Sequence, residues 1–163
     1  DFLFGFYYRL IGDSVKAVER LKKVLEKNTA CVKLAKRELV QSYIYLGEYE
    51  KAFDLAQGNY EGEKNNPYHI QAYFECLIRD HKNKDKNSDK LNELLSNLGK
   101  IKSEKATEIF MNLKAQYIAF IEDYEQSAIE LIDEAIAKMQ DSFYLKALLK
   151  KLENSVPQHL FVV

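Results

Sequence analysis

The sequence predicts an all-α protein built as an array of antiparallel helix pairs, and three observations carry that reading. First, two stretches repeat at an offset of 35 residues: Tyr8, Gly12 and Ala17 return as Tyr43, Gly47 and Ala52. A period in this range, with an aromatic, a glycine and a small residue in fixed order, marks stacked helix-turn-helix units. Second, apolar residues keep a helical period, as in Ile70, Tyr73, Phe74, Leu77 and Ile78, while two-residue alternation never persists. Third, proline occurs only at 67 and 157, so nothing breaks the intervening helices.

The expected helices run over 1–11, 14–27, 30–46, 49–58, 67–79, 89–98, 103–121, 124–138 and 142–154. Gly12 and Gly47 fall just past helix ends, where a left-handed residue is needed and glycine adopts it without steric cost. Asn66-Pro67 reads as a start signal, because asparagine caps and proline at the first helical position lacks only an N–H that has no partner there. Asp141 and Ser142 are placed to cap the last helix. The stretch His81–Lys90 contains no apolar residue and is expected to be an elongated, solvated loop. It explains why the turn alanine of the fourth unit, Ala128, lies 76 residues beyond Ala52 rather than two periods of 35. Such a loop either touches acidic partners or is a tolerated surface insertion.

At 163 residues and 47% hydrophobic content, the chain can bury one continuous core. A formal charge of −1 disfavours strong overall attraction to nucleic acid or acidic membrane. No apolar run reaches the length of a membrane span and no secretory leader is evident, so no membrane association is expected. Beginning at Asp1 rather than Met, the chain is expected to be a processed product or a piece of a longer protein. Cys31 and Cys76 are lone cysteines without a CxxC, which supports neither a disulfide framework nor a thiolate metal site. They are expected to be small buried or groove-lining residues in a reducing, cytoplasmic setting.

The segments Phe4-Gly5-x-x-Tyr8 and Leu39-Val40-x-x-Tyr43, each followed by a small residue at Ala17 or Ala52, resemble the tetratricopeptide repeat family, as does the turn Gly47-Glu48-Tyr49-Glu50-Lys51-Ala52. The family's tryptophan position holds Asp1 and Lys36, and its terminal proline position holds Thr29 and Lys64. The resemblance is clearest over 1–59 and returns at Tyr117, Tyr124 and Ala128 with a shift of one or two residues. It implies a right-handed superhelical solenoid of about four to four and a half helix pairs. The repeats would be 1–29, 30–66, 67–100 and 101–140, with a final helix at 141–154 and a tail at 155–163.

In that family the first helix of each pair lines a concave groove. The resemblance therefore puts Phe2, Phe6, Arg9 and Leu10 in the groove from the first repeat. Leu34, Arg37, Gln41, Ile44 and Tyr45 follow from the second, and His69, Ala72, Cys76 and Arg79 from the third. Arginine forks suit carboxylates or phosphates, and aromatic rings supply anchoring area; the alternative is that these arginines are ordinary solvated helix residues. Charge is uneven as well: residues 14–40 carry eight Lys/Arg against three acids, and 101–140 carry four Lys against eight acids. Opposite ends could bind a polar partner lengthwise or pair head to tail, or be plain solvated surface.

Catalytic chemistry has no motif here: no glycine-rich phosphate loop, nucleophile elbow or HExxH, and His69, His81 and His159 stand in separate contexts. Glu122 and Asp123 sit at an expected helix end, where solvent keeps neighbouring carboxylates ordinary. No cofactor is implied. The expected function is a non-catalytic scaffold that binds a protein or peptide in the groove, as part of a larger regulatory molecule. Two alternatives stand beside it. One is nucleic-acid binding through Lys16, Arg20, Lys22, Lys23, Lys27, Lys33, Lys36 and Arg37, interrupted by Glu19, Glu26 and Glu38. The other is self-assembly through the first helix, Asp1–Ile11, which is apolar almost all the way round and calls for upstream repeats or a second copy to cover it.

Overall fold

A computed structural model describes residues 1–27, 30–80 and 84–154, with the backbone alone described at 84 and 85. Among the described residues there are nine α-helices and no strand. They are α1 (Phe2–Leu10), α2 (Ser14–Glu26), α3 (Val32–Tyr45), α4 (Tyr49–Gly62), α5 (Pro67–Ile78), α6 (Lys84–Gly99), α7 (Glu104–Phe120), α8 (Glu125–Lys138) and α9 (Phe143–Glu153). Packing is between sequence neighbours: α1 on α2, α2 on α3, α3 on α4, then α6 on α7, α7 on α8 and α8 on α9, with α1–α3 and α7–α9 touching across one helix. Contacts group the chain into two compact units, Asp1–Cys76 and Leu77 onward.

In the first unit the 35-residue repeat is a repeat of backbone geometry. Ile11, Gly12 and Asp13 donate their N–H groups to Tyr7, Arg9 and Tyr8 carbonyls; Leu46, Gly47 and Glu48 do the same to Ser42, Ile44 and Tyr43. Gly12 and Gly47 take φ of 83° and 73°, the left-handed region that a Cβ would strain. Asp13 and Glu48 then stand at the N-cap of the next helix, Asp13 alone accepting a backbone N–H through its side chain, and each pairs with a lysine three residues on, Lys16 or Lys51. Those lysines lie 5.4 and 5.9 Å from the rings of Tyr8 and Tyr43. Ala17 and Ala52, four residues after each cap, are fully buried. Small side chains there let the paired helices approach closely. Asn66 caps α5, accepting from the Tyr68 N–H through Oδ1 at 3.0 Å.

The second unit reuses the turn with different chemistry. Asp123 holds the left-handed position (φ 59°) that glycine holds elsewhere. Tyr124 is the capping residue, and the Ala128 N–H bonds its carbonyl as the Ala17 N–H bonds that of Asp13. Ala115, Ala119, Ala128, Ile132, Ala135, Leu145, Leu148 and Leu152 form this unit's core between α7, α8 and α9. Ser103 and Ser142 cap α7 and α9 through their hydroxyls; Asp141, expected to share that work, does not.

Two boundaries differ from the sequence expectation. The loop assigned to 81–90 is helical from Lys84 on, while 81–83 lie outside the described residues. Polarity signals exposure, not conformation: Leu91, Leu94, Leu95 and Leu98 anchor α6, and its polar first turns extend into solvent. Asn87 Nδ2 donates to the Leu77 carbonyl at 3.1 Å, and Ser88 Oγ lies 2.9 Å from Tyr117 Oη, which ties those turns down. Helix α4 runs four residues past the expected 58, through Gly58 to Gly62. Burial of Tyr60, 1% exposed and packed on Tyr73, outweighs the roughly 1 kcal/mol that a mid-helix glycine costs. The apolar tail at 160–163 lies outside the described residues.

Candidate functional site

On α3, Leu34, Arg37, Glu38, Gln41 and Tyr45 are spaced by three or four residues (Arg37 and Glu38 are adjacent), which gathers them within a stripe of roughly 100° on one face. The neighbouring odd-numbered helices supply what meets that stripe. Arg9 of α1 bonds Glu38 Oε2 through Nε, and Arg37 holds Glu38 Oε1 with Nε at 3.0 Å and Nη2 at 2.7 Å. Glu38 is 2% exposed and is thus a buried carboxylate shared by two guanidinium groups. Each guanidinium also lies over an aromatic ring: Arg9 at 5.4 Å from Phe6, which stacks on Phe2, and Arg37 at 4.8 Å from Tyr68 of α5.

Beside this cluster, Gln41 Nε2 donates to Glu75 Oε2 at 2.6 Å, and Gln71 Nε2 donates to Glu75 Oε1 at 3.2 Å. Glu75 is 1% exposed. The Gln41 Oε1 atom is buried with no hydrogen-bond partner. Three helices of the first unit, α1, α3 and α5, are therefore joined along one row by charge-assisted hydrogen bonds and cation–ring contacts (Phe6–Arg9–Glu38–Arg37–Tyr68, then Gln41–Glu75–Gln71). Leu34 and Tyr45, 42% and 49% exposed, stand at the solvent edge of the α3 stripe.

Of the residues singled out from sequence, Phe6, Arg9, Arg37 and Gln41 join this row, and Leu34 and Tyr45 flank it. Cys76 is half-buried at the end of the first unit, and neither cysteine is in a disulfide. His69 is not part of the row. It is buried in the first turn of α5, with Nδ1 3.8 Å from Glu63 Oε2 and the ring bonded to the Asn59 backbone. Burial pushes its pKa below the usual histidine value, although Glu63 opposes the shift. Lys33 and Asn66 in turn hold the Glu63 carboxyl below the ordinary range. Arg79 is buried and belongs to the second unit.

Glu38, Tyr68, Gln71 and Glu75 were missed by sequence reasoning. The signal for Glu38 was present: it interrupts an otherwise small or apolar stripe, Ala35, Leu39 and Ser42, and a carboxylate there has to find a cation. The basic residues of 14–40 are largely spoken for. Lys16 pairs with Asp13, Arg20 and Lys27 with Asp1, Lys23 with Glu19, Lys33 with Glu63 and Arg37 with Glu38.

The second unit holds an open polar cleft of about 530 Å³ between the start of α7 and the α8–α9 turn. There Ser142 Oγ donates to Glu108, which also accepts from Lys105. Among the described residues no cluster of three or more His, Cys, Asp or Glu is arranged to hold a metal ion, and no helix is long and apolar enough to cross a membrane. No protein-family model matches this chain, and no curated protein or solved structure does either.

Proposed function

We propose that this chain is a non-catalytic interaction scaffold of tetratricopeptide-repeat type, and that it binds a protein or peptide along the row formed by α1, α3 and α5. The observation that carries the reading is the pair of arginines sharing one buried carboxylate. Arg9 uses Nε alone and Arg37 uses Nε and Nη2 to hold Glu38. The trio carries two positive charges against one negative, and the buried Glu75 of the same row offsets that excess, so what the row offers a ligand is oriented donors rather than net charge. The rings of Phe6 and Tyr68 and the neighbouring packing fix the geometry, so a ligand carboxylate would meet donors already in place. Preorganisation of this kind lowers the ordering cost of binding, and the exposed Leu34 and Tyr45 would supply apolar contact beside it.

Protein binding is favoured over nucleic-acid binding by the state of the basic stripe. Six of its eight cations are paired with carboxylates of this chain, which weakens the field that attracts phosphates.

The test is affinity capture from lysate on two baits, the native chain and a Leu34→Asp/Tyr45→Ala variant, read by mass spectrometry. Loss of a captured acidic partner by the variant is the expected result, with recovery upon adding that partner's isolated peptide to the native bait in competition. Identical captures by a variant with unchanged circular dichroism would remove this face from consideration.

A further inference from the structure

The outer face of α1 is apolar, exposed and uncharged. Leu3, Phe4, Tyr7, Leu10 and Ile11 are 76, 62, 54, 61 and 56% exposed, and Val15 in the first turn of α2 adds another at 68%. Leu3, Phe4, Tyr7 and Leu10 of α1, with Ile11 at its C-cap, fall within a stripe of roughly 120° by helical spacing, so they form one surface rather than scattered side chains. At those exposures, six side chains of this size present on the order of 700 Å² of mostly apolar surface. That exceeds the roughly 300–600 Å² of the largest patch on a typical monomer.

The repeat register states what such a face normally meets. A shift of 35 residues lays Leu3, Phe4 and Tyr7 onto Glu38, Leu39 and Ser42 of α3. Those three are 2, 1 and 0% exposed, in a helix that packs on α2 and α1. The backbone equivalence of the two turns makes the comparison one of like with like. Leu10 and Ile11 map onto Tyr45 and Leu46, which are 49 and 37% exposed, so it is the Leu3–Tyr7 part of this face that a helix covers on α3, and on α1 the described residues provide no helix there.

We infer that a second copy of this chain covers it, with α1 packed antiparallel against α1 of the partner about a two-fold axis near Tyr7. Three features favour that occupant. The surface is self-complementary, because its nearest charges are already engaged within the chain: Asp1 with Arg20 and Lys27, Arg9 with Glu38. Antiparallel pairing sets the positive N-terminal end of each helix beside the negative C-terminal end of the other. Burying most of this surface on both copies removes about 1,000–1,200 Å², which reaches the lower range of specific interfaces. An interface of that size sits at the weak end of specific association, and its apolar character predicts a dimer little affected by salt.

The experiment is sedimentation equilibrium of the full chain over about 1–200 µM, a range suited to weak association. The comparison is a Phe4→Glu/Tyr7→Glu variant whose helical content is checked by circular dichroism. The expected result is a mass rising from monomer to dimer for the native chain and a constant monomer mass for the variant. A Tyr7→Cys chain in a Cys31→Ser/Cys76→Ser background should also cross-link to a covalent dimer under mild oxidation, as the two-fold placement requires. A native chain that stays monomeric throughout would overturn the proposal and assign the face to another helix. So would a dimer that persists in a folded Phe4→Glu/Tyr7→Glu variant. Leu34→Asp/Tyr45→Ala should dimerise normally, and this separates the outcome from that of the proposed partner-binding row.

Discussion

Two mid-helix glycines receive the same substitution with opposite expected signs. A Cβ on Gly5 would stand 2.6 Å from Leu21 Cγ, 2.8 Å from Leu21 Cδ2 and 3.3 Å from the Leu21 backbone nitrogen. Leu21 is fully buried, so its side chain has no open direction in which to retreat, and α1 must move away from α2. Alanine gains about 1 kcal/mol of intrinsic helix preference over glycine, against overpacking of about 1–3 kcal/mol. The net expectation for Gly5→Ala is a loss of about 1 kcal/mol. Gly58 in α4 has nothing within 4 Å of its would-be Cβ, so Gly58→Ala keeps the helix gain alone, about 0.5–1 kcal/mol of stabilisation. Urea denaturation of the three proteins, followed by circular dichroism, measures both. A Gly5→Ala chain that gains as much as Gly58→Ala would refute the close α1–α2 approach.

Three further outcomes follow from the buried polar groups. Arg9→Met removes one of two cations from a carboxylate 2% exposed and should cost about 2 kcal/mol; a double-mutant cycle with Glu38→Gln should return a coupling of about 1–3 kcal/mol in denaturation. Asn112 and Gln116 bond each other on α7 while leaving Asn112 Nδ2 and Gln116 Oε1 buried without partners. Replacing both (Asn112→Leu/Gln116→Met) should be neutral or stabilising, whereas Asn112→Leu alone should cost about 1–3 kcal/mol in the same assay. Burial lowers the His69 pKa, so between that lowered value and the ordinary value near 6.5 the unfolded chain binds more protons than the folded one. Stability is therefore full above about pH 6.5 and declines on acidification below it, a slope that His69→Gln should flatten in thermal melts at stepped pH.

The helices were legible because their signals are local. Gly12, Gly47 and Asn66-Pro67 punctuate the chain at the points where backbone geometry demands them, and the apolar stripe of α5 announces its period directly. The start of α6 was not legible for a physical reason. Charged residues at 84–90 tell that a segment is solvated, and a solvated segment continues as helix when the next four leucines are anchored. The α4 end lies beyond the expected 58 because the residue that decides the matter, Tyr60, acts through α5. The site divides in the same way. Arg9, Arg37 and Gln41 were singled out by the resemblance to the repeat family, but Glu38 and Glu75 become visible only when neighbouring helices are brought together. His69 shares the helix of Tyr68 and Gln71 yet turns to Glu63, because it stands in the first turn of α5, against the end of α4.

Register also connects the two interaction surfaces. Leu3 and Glu38 occupy equivalent places, one apolar and exposed, the other a buried carboxylate. Apolar residues in place of the whole cluster could pack about as well, since a buried ion pair is often no more stable than the hydrophobic contact that could replace it, whereas leucine at 38 alone would leave two guanidinium groups without their counter-charge. What the carboxylate supplies is orientation: it fixes two guanidinium groups over two rings and joins α1 to α3 in one arrangement. A face meant only for burial has no need of that. The α1 face has no such device and offers a partner apolar contact alone. Under the two proposals, selection of a polar partner would rest on the row organised by Glu38, and self-association on the outer face of α1. The separation is testable at one position. Glu38→Gln, in a chain whose circular dichroism is unchanged, should leave the dimer intact and weaken capture of an acidic partner.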